Sequence, residues 1–258
     1  MSPIARLQGA IARRGIAGAA RAALQTAVEL PTFSYGFGRL LNATRRFRFD
    51  GRSYRYFVDR YNSTWRSERA VEIPIVWDIV QRSGNARILE VGNVLRHYFS
   101  VRHDCVDKYE KAPGVINEDV VAYRAAPYDL IISISTLEHV GWDEEPKDPE
   151  KILKAIDNLR SLTAPGGRIV ITLPFTHNPH VDAYLKDGRI AFTRSICLKR
   201  VSRHNRWAET SWEEAKAARF DTPFRRINAI VVGTMEPGSW AGVSPSENAS
   251  QDPAPGAG

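Results

Sequence analysis

Cysteine is scarce: Cys105 and Cys197 are the only two in 258 residues, and neither has a CxxC partner or a metal-ligand neighbour. That excludes a disulfide scaffold and a thiolate zinc site, and two thiols in apolar surroundings (DCV, ICL) fit buried residues in a reducing, cytoplasmic compartment. No apolar run approaches the roughly 18 residues needed to span a bilayer, which speaks against an integral membrane protein. A full G-x-G-x-x-G fingerprint is lacking too, which disfavours a nicotinamide-dependent oxidoreductase. What is present is a globular composition, 43% hydrophobic and 25% charged, enough for one sizeable core.

Lysine is missing from the first 69 residues, which hold 13 arginines against four acids. The net +9 there leaves −2 for the rest of a chain whose formal total is +7. Such asymmetry fits an anionic partner (lipid headgroup, nucleic acid or phosphorylated substrate) and equally fits a plain arginine-rich surface. Residues 1–30 form a basic segment in which Ile4, Leu7, Ile11, Ile16, Ala20, Leu24 and Val28 recur at helical spacing beside Arg6, Arg13, Arg14 and Arg21. With no continuous apolar core it is no secretory signal. Residues 1–28 could make a peripheral contact with an anionic membrane, resemble an organelle transit peptide, or pack on their own domain.

Residues 31–85 read as an N-terminal cap and substrate region. Its first part mixes aromatics with nine arginines up to residue 69. No recognised RNA- or DNA-binding motif accompanies them, so nucleic acid is an unlikely partner. The spacing of AVEIPIVWDIVQ predicts an amphipathic helix over 70–81, with Pro74 inside or near its first turn. Strands are predicted at 87–92, 103–107, 115–118 (weak), 129–135, 168–173, 194–200 and 227–234. Asp148-Pro149-Glu150 reads as a helix start with a capping Asp148, and Pro165-Gly166-Gly167 as its end. Residues 236–258, rich in Pro, Gly and Ser, read as a disordered tail. Buried strands alternating with helices mean a parallel α/β sheet with helices on both faces.

Ligands in such sheets bind at the carboxyl ends of the strands, and the unusual residues fall there. The first strand end carries Glu90, Gly92 and Asn93. The second carries Asp107-Lys108-Tyr109, 17 residues after Glu90. The third carries Glu118-Asp119, and the fourth Ser135, Thr136, Glu138 and His139. An acid about 20 residues after a glycine-bearing first turn is where a nucleotide fold binds ribose hydroxyls, since a carboxylate can accept from both. Asp119 is placed to accept from an adenine amino group. Any one of these acids alone reads best as a solvated loop charge; their order and spacing together point to a site.

ILEVG, VDKYE, NEDVV, YDLIISISTLEHVGW and LTAPGGRIVITLPF, over residues 86–175, resemble the successive motifs of class I S-adenosylmethionine-dependent methyltransferases. LKRVSRHNRW and INAIVVG look like the closing antiparallel strands of that fold. The resemblance implies a Rossmann-like, doubly wound, mostly parallel seven-stranded sheet over 86–235 behind an N-terminal helical cap. It implies S-adenosyl-L-methionine as cofactor. Carried over by position, Glu90 and Gly92 (with Asn93) would hold its amino-acid end, Asp107 (with Lys108) the ribose, and Asp119 with Val120 the adenine. Ser135 and Thr136 would sit beneath the sulfonium, with Glu138 positioning a substrate or cofactor group. The acceptor would be a hydroxyl or similar nucleophile of a small molecule, glycan or lipid.

One departure stands out. The family's glycine-rich loop is replaced after Gly92 by Asn93-Val94-Leu95-Arg96, and Val94 would resist the positive φ that glycine allows. Either the loop takes another path or cofactor binding is weakened. S-adenosylmethionine carries no phosphate, so a phosphate cradle is not required. An oxygen nucleophile would need a base, for which His139 is the first candidate and His177 the second. Asp143-Glu144-Glu145 reads as a solvated loop rather than a metal site. Two other readings stay open: a non-catalytic Rossmann-like binding protein, and a membrane or nucleic-acid adaptor built on the basic first third.

Overall fold

In the fourth predicted strand, alternate residues of an unbroken apolar run face opposite ways, and both faces must be covered. A computed structural model describes residues 31–224 and 226–238 and shows how this is done. The basic segment 1–30, and the tail beyond 238, lie outside the described residues.

The order is α1 (Pro31–Asn42), β1 (Arg46–Phe49), β2 (Arg52–Arg55), a short helical turn (Tyr61–Arg66), α2 (Arg69–Arg82), β3 (Ile88–Val91), β4 (Asp104–Val106) and β5 (Tyr128–Ile134). It continues with α3 (Lys151–Ser161), β6 (Thr163–Pro174), α4 (Pro179–Lys186), β7 (Arg194–Arg200), β8 (Trp207–Thr210), α5 (Trp212–Lys216) and β9 (Ala229–Met235). The main sheet has seven strands in the order β4-β3-β5-β6-β9-β7-β8. β3, β4, β5 and β6 run parallel, β9 is antiparallel to its neighbours β6 and β7, and β8 is antiparallel to β7. This is the expected mostly parallel, doubly wound α/β architecture.

Its membership differs from the expectation by one strand. Residues 115–118 form a single parallel bridge, Val106 to Ile116, while β8 supplies the seventh strand. The alternation sorts side chains to two cores. Leu89, Ile131, Ile169 and Ile171 face α3 and α4; Ile88, Leu130, Ile132 and Val170 face α2 and the β1–β2 hairpin.

Pro74 falls near the first turn, as expected, and two other local expectations are corrected. Pro74 lies in the second turn of α2, where its ring leaves the Ala70 carbonyl without a helical donor; the Phe57 N–H donates to that carbonyl instead, at 2.9 Å. Asp148 does not cap α3, which begins at Lys151; its side chain accepts from the Glu150 N–H. Pro165-Gly166-Gly167 does not end α3, which stops at Ser161; it lies within β6, where a Cβ on Gly167 would come within 2.9 Å of the Tyr128 carbonyl.

Candidate active site

The carboxyl ends of β3, β4, β5 and β6 lie along one edge of the molecule, and the strand order reverses between β3 and β5, the position of a ligand crevice in such sheets. Gly92 follows β3 there with φ +86°, and a Cβ on it would sit 2.4 Å from Thr136 Oγ1. Only glycine meets both conditions. Thr136 follows β5, so the two strand ends touch at the switch point.

The loop after Gly92 does take another path. Glu90 is fully buried, and its Oε1 accepts from the Val94 and Leu95 N–H groups at 3.0 and 2.7 Å. Its Oε2 meets His103 Nε2 at 2.7 Å. The carboxylate thus folds residues 92–97 into a short turn, and Val94 keeps φ at −107°, so no second glycine is needed. Glu90 braces the loop, with both oxygens engaged.

Asp107 does the same between loops. Its Oδ2 accepts from the Asn93 N–H at 3.1 Å, and its Oδ1 from Tyr109 and Glu110 N–H at 2.9 and 2.8 Å. The Asn93 amide donates to Glu110 at 2.7 Å, and His97 stacks on Tyr61 of the cap at 4.0 Å. Asp119 and Lys108 meet in an ion cluster that also holds Lys151 and Glu144. Lys151 reaches Asp119 at 2.6 Å and Glu144 at 2.5 Å; Lys108 reaches them at 3.0 and 2.6 Å. Burial alone would raise the Asp119 carboxyl, but Lys151, the Val121 N–H and Lys108 hold it at about 2. Contact with Glu144 and Asp119 holds the Lys108 ammonium well above its usual range. Val120 turns into the core beside α3.

A second cluster lies at the end of β5, and most of it escaped the sequence reading. Arg69, the first residue of α2, donates to the Ile134 and Ser135 carbonyls at 2.7 and 3.2 Å and lies 3.5 Å from buried Glu72. Ser135 takes φ +38° and donates its hydroxyl to Glu72 at 2.5 Å, while its N–H donates to Thr172 of β6. Glu138 is 1% exposed, and its Oε2 is buried without a hydrogen-bond partner, as is Oε2 of Glu68. Burial therefore holds Glu138 well above the usual carboxylate range, despite Arg69. Burial also raises Glu72. Burial pulls the Arg69 guanidinium down, but Glu72, Glu68 and Glu138 outweigh it and the net shift is upward. The available signal was a charged pair, Arg69 and Glu72, inside the otherwise apolar helix RAVEIPIVW.

His139 and His177 come together, rings 5.1 Å apart. Asp143 Oδ2 lies 2.5 Å from His139 Nδ1, and Glu138 Oε1 lies 3.7 Å from Nε2. Burial and the neighbouring His139 lower His177. Asn178, the N-cap of α4, donates to the Glu138 carbonyl at 2.7 Å and so ties the ends of β5 and β6 together. Among the described residues no group of three or more His, Cys, Asp or Glu could hold a metal ion. A hollow of about 470 Å³, lined by residues such as Trp77, Arg87 and Asp104, opens at the opposite, amino ends of β3 and β4, the wrong end for a ligand of this sheet.

No family model matches the chain, and no curated protein matches it in sequence. Solved structures are similar to it in fold. The N-methyltransferase NodS from Bradyrhizobium japonicum WM9, in complex with S-adenosyl-L-homocysteine, is similar at 14% identity, covering 63% of this chain and 84% of that one, with a TM-score of 0.41. Magnesium protoporphyrin IX methyltransferase (ChlM) from Synechocystis PCC 6803, with bound SAM, is similar at 13% identity over 78% of this chain and 91% of that one, with a TM-score of 0.37. TehB from Haemophilus influenzae is similar at 13% identity over 69% and 66%, with a TM-score of 0.38. At such identities and scores, what this chain does has to come from its own strand ends.

Proposed function

We propose that this protein transfers a methyl group from S-adenosyl-L-methionine to a hydroxyl or similar nucleophile on a small molecule, glycan or lipid. The observation that carries the reading is the order of polar groups along one edge: Glu90 near the end of β3, Asp107 after β4, Asp119 after the bridge at Ile116 and His139 after β5, around the switch point where Gly92 meets Thr136. The cofactor's chemistry fits that edge. Its sulfonium and ammonium are cations, and the strand ends are rich in carboxylates; Glu138, which burial shifts toward its neutral form, adds a buried oxygen without a partner.

When bound, the cofactor supplies an electrophilic methyl group whose leaving group needs no activation. Asp107 accepts three N–H bonds and keeps lone-pair capacity for a ribose hydroxyl. Asp119 would accept from the adenine amino group, which requires Lys108 or Lys151 to give way. Gly92 and Asn93 would line the amino-acid end on the loop that Glu90 braces, with Ser135, Thr136 and Glu138 below the sulfonium. His139 takes the acceptor's proton at Nε2, and Asp143 on Nδ1 selects the tautomer that leaves Nε2 free to do so. His177, lowered by burial and by the neighbouring His139, is the second candidate base. Alignment of acceptor and methyl supplies most of the rate.

Titration calorimetry with S-adenosylmethionine tests the cofactor; we expect binding that Asp107→Ala weakens at least about tenfold, as loss of a charge-assisted hydrogen bond predicts. Mass spectrometry of extracts given isotope-labelled cofactor would identify the acceptor, and His139→Ala should slow transfer by about 10²–10⁴. The competing reading, a non-catalytic binding protein, is favoured by the protein partners that Glu90, Asp107 and Asp119 already have. No heat at millimolar cofactor would decide for it. Among the described residues no helix is long and apolar enough to cross a membrane. A peripheral contact through residues 1–28 remains part of the proposal, for a protein working in the cytoplasm.

A further inference from the structure

α1 has two unlike faces. Gly38 packs on Trp65, where a Cβ would come within 2.5 Å of the indole, and Tyr35 meets the same ring at 5.2 Å. The opposite side presents Phe37 and Leu40, 42% and 74% exposed. Phe37 lies edge-on to His204, ring centres 6.5 Å apart, which brings α1 against the turn between β7 and β8. Arg203 and Arg45 lie close enough to His204 to lower its protonation together with burial. Burial raises the Tyr56 hydroxyl, and Arg206 and Arg45 lie close enough to oppose that rise. Val201 in the same turn is 51% exposed. Protruding aliphatic and aromatic side chains are thus set among arginines.

Acids are almost missing from this face. Between Pro31 and Val58 the only one is Asp50, and it is bonded to Arg194; residues 201–208 contain none. The 30 residues that lead into α1 carry four arginines and one acid. We infer that the face built from α1 and the β7–β8 turn docks on an anionic lipid bilayer, Phe37 and Leu40 entering the interface while Arg39, Arg45, Arg203 and Arg206 meet headgroup phosphates.

The chemistry favours a bilayer over other anionic partners. Leu40 and Val201 have no π face on which a nucleobase could stack. A second copy of this chain would bring like charges together. Aliphatic tips ringed by arginine match the two terms of interfacial binding, apolar insertion and attraction to anionic headgroups. The β7–β8 turn follows the end of β7 that lies level with the carboxyl ends of β5 and β6. Asn205 donates to the Ser67 carbonyl at 2.7 Å, two residues before Arg69. Docking therefore brings the candidate site's end of the sheet to the bilayer. The inference stands apart from methyl transfer, and either can fail alone.

Co-sedimentation of the full chain with phosphatidylcholine vesicles, with and without phosphatidylglycerol, tests it at low and high salt. We expect binding only to the anionic vesicles, weakened by salt. Phe37→Glu/Leu40→Glu and Arg203→Glu/Arg206→Glu should each lower it at least about tenfold, from roughly fivefold per lost charge and a similar amount per lost apolar side chain. Thermal melts matching wild type would show that both pairs, all surface positions, remain folded. Equal binding to neutral vesicles, or anionic binding that either folded pair leaves unchanged, would overturn the inference. So would loss of binding only on deletion of residues 1–30, or displacement of the vesicles by a single-stranded oligonucleotide whose own binding ignores Leu40.

Discussion

Glu138 shows how a single side chain can carry the character of the site. The tight turn after β5 sends it inward and its neighbour His139 outward, so adjacent residues occupy opposite environments. Its folded carboxyl holds a proton where the unfolded chain has already lost one. The folded state then binds more protons, and stability falls as pH rises through that window. Glu138→Gln removes the titration. Urea unfolding should show the variant level with wild type near about pH 4 and more stable by about pH 8; parallel curves would contradict the shift. Thr136 and Gly92 carry the complementary lesson. The glycine was legible as a strand-end residue, but its reason, contact with a threonine 44 positions later, was not.

Loops and their ion clusters belong to the scale of the element. Lys151 opens α3, and its ammonium joins the loops bearing Asp119 and Glu144. Asp119, lowered to about 2, stabilises the fold above its ordinary value of 3.8, and that contribution is lost as pH falls toward 2. Asp119 is 24% exposed, so solvent screening reduces the effect. Asp119→Asn should cost on the order of 1 kcal/mol at neutral pH, with the gap closing in acid when unfolding is followed by fluorescence. Elsewhere local chemistry spoke clearly and was passed over. Asp50-Gly51, both at positive φ, make the two-residue turn of the β1–β2 hairpin, with Phe47 and Phe49 facing in and Arg46 and Arg48 facing out. The arginines hid an ordinary alternation. The bridge at Ile116 is the converse: its apolar residues sit beside β4 without enough paired length to make a strand.

Across the whole molecule, Arg69 fastens the N-terminal part of the chain to the sheet. It ties α2 to the last carbonyls of β5 while sharing a buried network with Glu72 and Ser135. Removing one partner of a buried ion pair strands the other, so Arg69→Met should cost about 3–5 kcal/mol in thermal or chemical unfolding. Arg69→Met with Glu72→Met should recover part of that loss, because Glu72 is no longer stranded, while Glu68 still lacks its counter-charge. A double variant no more stable than the single one would show that Arg69 acts through the strand-end carbonyls alone.

The strands were readable because burial on both faces demands continuous apolar runs, and the candidate site's acids because strand polarity puts polar residues at carboxyl ends. Those are short-range consequences of composition and period. Which acid is bound by a lysine, which by a histidine and which is held toward its protonated form was decided by the folded surroundings: Lys151 for Asp119, His103 for Glu90, and burial, against the pull of Arg69, for Glu138. Such partners meet only when the chain folds, and the energy of a charge depends on its neighbours in space and on lost water, neither of which a linear order records.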